Sequence, residues 1–193
     1  MGRPKAMLPF GDELLLARVA RILGEVVSPL VVVAAPEQEV PPLPQGVRIV
    51  RDEQEYLGPL AGIGVGLAAL AGEVGAAYCS GCDVPLLKPE FVRAMIAALG
   101  KLELAVPKEG DFHHPLAGVY RTSLVERIKG LVGAGRLRPL YLIESSRAAV
   151  VDVESLRSVD PGLDSLRNMN RPEEYAAALR DAGLPPAEPW GPA

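Results

Sequence analysis

The sequence predicts an α/β domain in which a mainly parallel sheet is covered by helices on both faces. Three observations lead there. Short unbroken runs of apolar, often β-branched residues suit strands buried on both sides. Segments whose apolar residues recur at helical spacing alternate with those runs along the chain. The composition, 193 residues with 49% hydrophobic and 23% charged, supplies apolar surface for one sizeable core and fits one domain at roughly 100–200 residues per domain. Aromatic residues make up only 5%, so that core is aliphatic.

Leu15, Val19, Ile22 and Val26 stand at four-three-four spacing, which predicts a helix over residues 13–27 that Pro29 ends. The apolar run 30–35 is the first strand, and further strands are predicted at 47–50, 76–80, 102–106, 116–120 and 148–153. Helices are predicted at 62–70, 90–99, 123–131, 137–145 and 172–182. Pro41, Pro42 and Pro44 make 40–46 a stiff surface connection. No internal repeat is present, and the predicted organisation is one domain over 1–184 with a Pro-rich tail at 185–193.

Lys and Arg number 20 against 24 Asp and Glu, a net charge of −4 with neither sign in a long block, which argues against a nucleic-acid-binding domain. Two cysteines cannot build a disulfide framework. The first residues lack the apolar core of a signal peptide, and no apolar run reaches the length of a membrane span, so a cytoplasmic protein is expected.

Ligands of open parallel sheets bind at the carboxyl ends of the strands, which directs attention to polar residues just after strand runs. Residues 1–11 place Gly2, Arg3, Pro4 and Lys5 ahead of a helix, the composition of a phosphate-contacting loop and equally of a frayed basic terminus. Asp52 follows a strand and precedes Gly58-Pro59-Leu60, a tight turn into a helix of small residues; it is either a ligand contact or a turn cap. Asp83 comes directly off a buried strand before Pro85, placed to hold a hard cation against a phosphate or to cap a turn. Cys79 and Cys82 spell C-x-x-C, but only the adjacent His113 and His114 could complete a zinc site, which argues against structural zinc. Asn170 with Glu173 reads as a helix cap and leaves Asn168 unexplained.

Taken in chain order, these segments resemble the MobA-like nucleotidyltransferases. That family carries Gly-Gly-x-Ser-x-Arg-Met-Gly-x-x-Lys, then Asp with Gly-Pro-Leu-Ala-Gly, Cys-Asp-x-Pro, His-Pro and Asn-x-Asn-x-Pro-Glu. Here stand Met1-Gly2-Arg3-Pro4-Lys5, Asp52 with Gly58-Pro59-Leu60-Ala61-Gly62, Cys82-Asp83-Val84-Pro85, His114-Pro115 and Asn168-Met169-Asn170-Arg171-Pro172-Glu173. The resemblance implies a three-layer Rossmann-like nucleotidyltransferase fold. It implies an enzyme that transfers GMP from GTP, with Mg²⁺, onto the molybdopterin (molybdenum) cofactor and releases pyrophosphate. Lys5 and Asp83 are then catalytic, with Asp83 the Mg²⁺ ligand. Asp52, Gly58, Pro59 and Leu60 join them in contacting the nucleotide, and His114, Asn168 and Asn170 meet the acceptor. Proteins that make or receive the cofactor are the implied transient partners.

The chain departs from the pattern twice. The strand and first half of the phosphate loop are not in this sequence, so upstream codons for an apolar strand and Gly-Gly-x-Ser-x-Arg are expected. Ala34-Ala35-Pro36 stands where the guanylyltransferase pattern has an Asn that helps read guanine. A cytidylyltransferase acting on molybdopterin or on a sugar or polyol phosphate is therefore one alternative. A nucleotide-binding remnant that catalyses nothing is the other.

Overall fold

The computed structural model describes residues 4–52 and 57–186; the expected loop residues 1–3 and the tail from 187 onward lie outside them. The chain opens with a single 3₁₀ turn, Lys5–Met7. A small hairpin follows, β1 (Pro9–Phe10) against β2 (Glu13–Leu14), turning through Gly11 at φ 66°. This hairpin takes up the start of the predicted 13–27 helix, so α1 spans only Leu15–Gly24. β3 (Val31–Ala34) then lies parallel to β4 (Arg48–Arg51), and α2 (Gly58–Leu70) starts from Gly58 at φ 77° with Pro59 behind it. Proline has the φ a first helical turn needs and lacks only an N–H that would be unpaired there.

The remaining elements form the main sheet and its cover. They are β5 (Ala76–Ser80), α3 (Pro89–Leu99), β6 (Leu104–Glu109), β7 (Phe112–His113), β8 (Ala117–Arg121), α4 (Val125–Gly133), α5 (Pro139–Glu144), β9 (Ala148–Asp152), α6 (Val153–Leu156) and α7 (Pro172–Asp181). Strand order is β5-β8-β6-β9, with the short β7 paired to the end of β6. β5, β6 and β9 run one way, and β8 is inserted between β5 and β6 in the opposite direction. The expectation of a mainly parallel sheet is thus corrected. Among the described residues only β3·β4 and β6·β9 pair in parallel. The cause is the turn at Gly110, φ 55°, which folds the chain back into β7 and β8. An apolar run records burial on both faces and says nothing of strand direction.

Side chains alternate across the sheet, so Leu104 and Val106 enter the core beneath α2, α4 and α5, while Ala105 enters the core beneath α3. Three layers result. In the first core, α2 and α4 come close at Gly64, where a Cβ would stand 2.7 Å from Ile128 Cγ2. A third apolar cluster joins Leu8, Phe10 and Leu15 to Met169, Tyr175 and Leu179, and the Tyr175 hydroxyl donates to the Pro9 carbonyl. Through this cluster the segment 8–15 meets the segment 169–179.

β3 and β5 each have one strand partner among the described residues. Leu30 and Ala34 carbonyls accept from β4 and the residue after it, so by parallel alternation Val31 and Val33 turn their N–H and C=O groups away. Gly75 pairs with Thr122, which by antiparallel alternation turns those of Ala76, Tyr78 and Ser80 away from β8. Both edges face one largely apolar cavity of about 710 Å³, walled also by α1, α2 and α3.

Candidate active site

Ser80 stands opposite Ala117 and Lys108 opposite His113, so the residues after β5 and those before β8 emerge at the same end of the sheet. Asp83 is held there by two contacts. Its backbone carbonyl accepts from Met169 N–H at 3.0 Å. Its Oδ2 accepts from Lys5 Nζ at 2.9 Å, and Lys5 Nζ also donates to Asn170 Oδ1. Lys5 and Asp83 side chains are 33% and 16% exposed, enclosed enough for a strong charge interaction and open enough for a ligand to reach them.

Local sequence explains the arrangement. Gly81 lets the Asp83 carboxylate fold back on its own loop, since a Cβ at 81 would lie 2.6 Å from Asp83 Oδ1. Arg18 of α1 donates to the Pro85 carbonyl at 2.8 Å and fixes the turn beyond. On the opposite side, the cap predicted at Asn170 with Glu173 is displaced by one residue. α7 begins at Pro172 with Arg171 as its cap, and Glu174 accepts from the backbone N–H groups of Asn170 and Arg171. That shift leaves the Asn170 amide to meet Lys5.

The structure therefore brings together Lys5, Asp83 and Asn170. Asn168 is exposed and hydrogen-bonds to none of them among the described residues. Asp52 takes its place through its N–H, which donates to the Ala34 carbonyl at 2.8 Å, and it lines the cavity with Gly58 and Pro59. Leu60, expected among the nucleotide contacts, is 0% exposed in the core under α2. His114 lies at the same sheet end, and the Tyr120 hydroxyl fixes the adjacent Pro115 carbonyl at 2.7 Å. The His114 Nε2 is buried with no hydrogen-bond partner among the described residues, 3.7 Å from a Glu109 carboxylate oxygen. Burial lowers its pKa and keeps the ring neutral at pH 7.

Gln38 escaped the sequence reading. Its Oε1 accepts from Ala35 N–H at 3.1 Å, and Arg51 braces the same loop by donating to the Ala35 and Gln38 carbonyls. The side chain lines the cavity close to Asp52 in the chain fold. A glutamine four residues beyond a strand carries no periodic signal. Cys79 and Cys82 are free thiols. Burial pushes Cys79 up to about 12 and raises Cys82 as well, so neither is a thiolate available for metal or redox chemistry at neutral pH.

Among the described residues no group of three or more His, Cys, Asp and Glu side chains is placed to enclose a metal. One partly exposed carboxylate still suits Mg²⁺, which takes one or two carboxylates and draws its other ligands from water and phosphate. Asp83 fits that requirement. No helix among the described residues is long and apolar enough to cross a membrane.

Residues 1–149 match the MobA-like NTP transferase domain. A probable molybdenum cofactor guanylyltransferase of Mycobacterium tuberculosis is 39% identical over 169 residues, covering 83% of this chain and 82% of that protein. The crystal structure of molybdopterin-guanine dinucleotide biosynthesis protein A from Archaeoglobus fulgidus superposes with a TM-score of 0.76 at 22% identity, over 94% and 92% of the two chains. That of 2-C-methyl-D-erythritol 4-phosphate cytidylyltransferase from Thermus thermophilus gives 0.69 at 17% identity, over 94% of each. The two superpositions establish a Rossmann-like nucleotidyltransferase fold.

Proposed function

The chain belongs to the MobA-like NTP transferase family, and on that premise we propose that it transfers GMP from GTP to the molybdopterin cofactor, releasing pyrophosphate and forming the guanine dinucleotide. The observation that carries the reading is the meeting of Lys5, Asp83 and Asn170 at the carboxyl end of β5, beside a cavity. The name of the mycobacterial relative supplies the acceptor.

The reaction asks for positioning and charge neutralisation. The acceptor phosphate attacks the α-phosphorus of GTP in line, the bond from the α-phosphorus to the bridging oxygen of pyrophosphate breaks, and that oxygen leaves with the electron pair. A phosphate monoester is already anionic at pH 7, so no general base is required. Lys5 neutralises the triphosphate. Asp83 is the residue that would hold a divalent cation, here Mg²⁺, which when bound offsets charge on the phosphates and the departing pyrophosphate. Asp52 and the Gly58-Pro59 turn contact the nucleoside, with Gln38 as an additional amide for the base edge. Asn170, through Lys5, sets the charge centre against the acceptor side, where His114 and Asn168 lie.

The test is pyrophosphate release from purified protein supplied with molybdopterin cofactor, Mg²⁺ and either GTP or CTP. Release with GTP sustains the reading. Release with CTP alone replaces it by cytidylyl transfer, and tight GTP binding without release replaces it by a non-catalytic nucleotide binder.

A further inference from the structure

Five residues beyond Asp83 lies a second polar cluster that the reaction above does not use. Asp160 is 0% exposed. Its Oδ1 accepts from Lys88 Nζ at 2.6 Å and its Oδ2 from the Ser165 N–H at 2.8 Å. Lys88 also donates from Nζ to Asp164 at 3.0 Å and from its backbone N–H to Ser165 Oγ at 3.0 Å. Arg167 ties the far side of Asp164 to Asp181 of α7. Taken alone, burial would raise the Asp160 carboxyl, but the hydrogen bonds from Lys88 and Ser165 outweigh it and hold Asp160 below the ordinary carboxylate value. A buried charge with every partner in place is a fixed point, and losing one partner is costly.

What this fixed point joins is specific. Lys88 ends the turn that begins at Asp83, and Ser165 begins the segment that ends at Asn170. The same two segments meet again where Met169 N–H donates to the Asp83 carbonyl. Between Asp160 and Ser165 the chain accepts a left-handed Leu163, φ 52° and ψ 35°, a conformation that costs a non-glycine residue energy and persists where its surroundings determine it. We propose that Asp160 is a positioning residue: by gripping Lys88 and the Ser165 amide it sets where Asn170 stands against the Lys5–Asp83 pair. The proposal rests on the reading of Lys5, Asp83 and Asn170 as the reaction centre.

The test is Asp160→Asn, which keeps the volume and removes the charge, with Ser165→Ala as a milder break in the same clamp should the first variant fail to fold. Two measurements are made on each folded variant. Hydrogen exchange at the Met169 amide is expected to quicken by about 10-fold or more while Val119 in β8 holds its rate. In the transfer assay kcat is expected to fall by about 10- to 100-fold, with the Kd of GTP within about twofold of the parent, because an ångström of misplacement costs rate more than binding. Unchanged Met169 exchange overturns the proposal, as does faster exchange with parental kcat. If the parent protein releases no pyrophosphate, the functional reading fails, and the Met169 exchange still decides whether Asp160 sets this contact.

Discussion

Asp83 meets Lys5 through one carboxylate oxygen while Gly81 leaves room for the other, so a change that keeps its shape and removes its charge isolates what the charge does. Asp83→Asn is expected to cut pyrophosphate release by about 10²–10³-fold with an unchanged circular dichroism spectrum, because charge neutralisation in the transition state is lost and the packing is not. A large fall in melting temperature would mark Asp83 as a turn cap instead. Lys5→Ala is expected to weaken GTP by about 10- to 100-fold and guanosine by less than about twofold, since the lost hydrogen bonds are to phosphate charge; calorimetric titration with both ligands checks it. At this scale the sequence was informative about which residues follow a strand end, as Asp52 follows β4 and Asp83 follows β5. It missed the Lys5–Asn170 contact, which spans 165 positions and depends on a helix cap that moved by one residue.

Among elements, β8 is closely constrained by its neighbours at Gly118. A Cβ at Gly118 would stand 2.8 Å from Val106 Cγ1 and 2.9 Å from the Ala105 carbonyl, whereas one at Gly62 of α2 would meet nothing within 4 Å. Gly118→Ala is therefore expected to cost about 1–3 kcal/mol, since backbone must yield, and Gly62→Ala to be neutral or stabilising by up to about 1 kcal/mol. Thermal or urea melts of the two variants check the contrast. The positions of these elements were legible from periodicity to within a few residues, because burial itself imposes the pattern. Direction was not legible: the 116–120 run and the 102–106 run read alike, yet Gly110 folds one back against the other. Nor was the β1–β2 hairpin, whose two-residue strands are too short to alternate.

For the molecule as a whole, the cavity between β3 and β5 is bordered by two strand edges. Val31 and Val33 on one side and Ala76, Tyr78 and Ser80 on the other direct ladder groups into it that have no strand partner among the described residues, and Ala6 borders it. The Lys5–Asp83 ion pair has a wider meaning as well. A carboxylate already matched to an ammonium is a poor seat for a cation until something more anionic draws the ammonium aside, and a triphosphate does so. Cation and nucleotide should then bind as mutual effectors, each raising the other's affinity by the same factor, as linkage requires. Calorimetry is expected to find weak Mg²⁺ binding to the protein alone, strong binding with a non-hydrolysable GTP analogue, and the gap much reduced in Lys5→Ala. On the proposed reading the pair acts as an interlock, keeping the metal seat closed until the substrate that needs it has arrived.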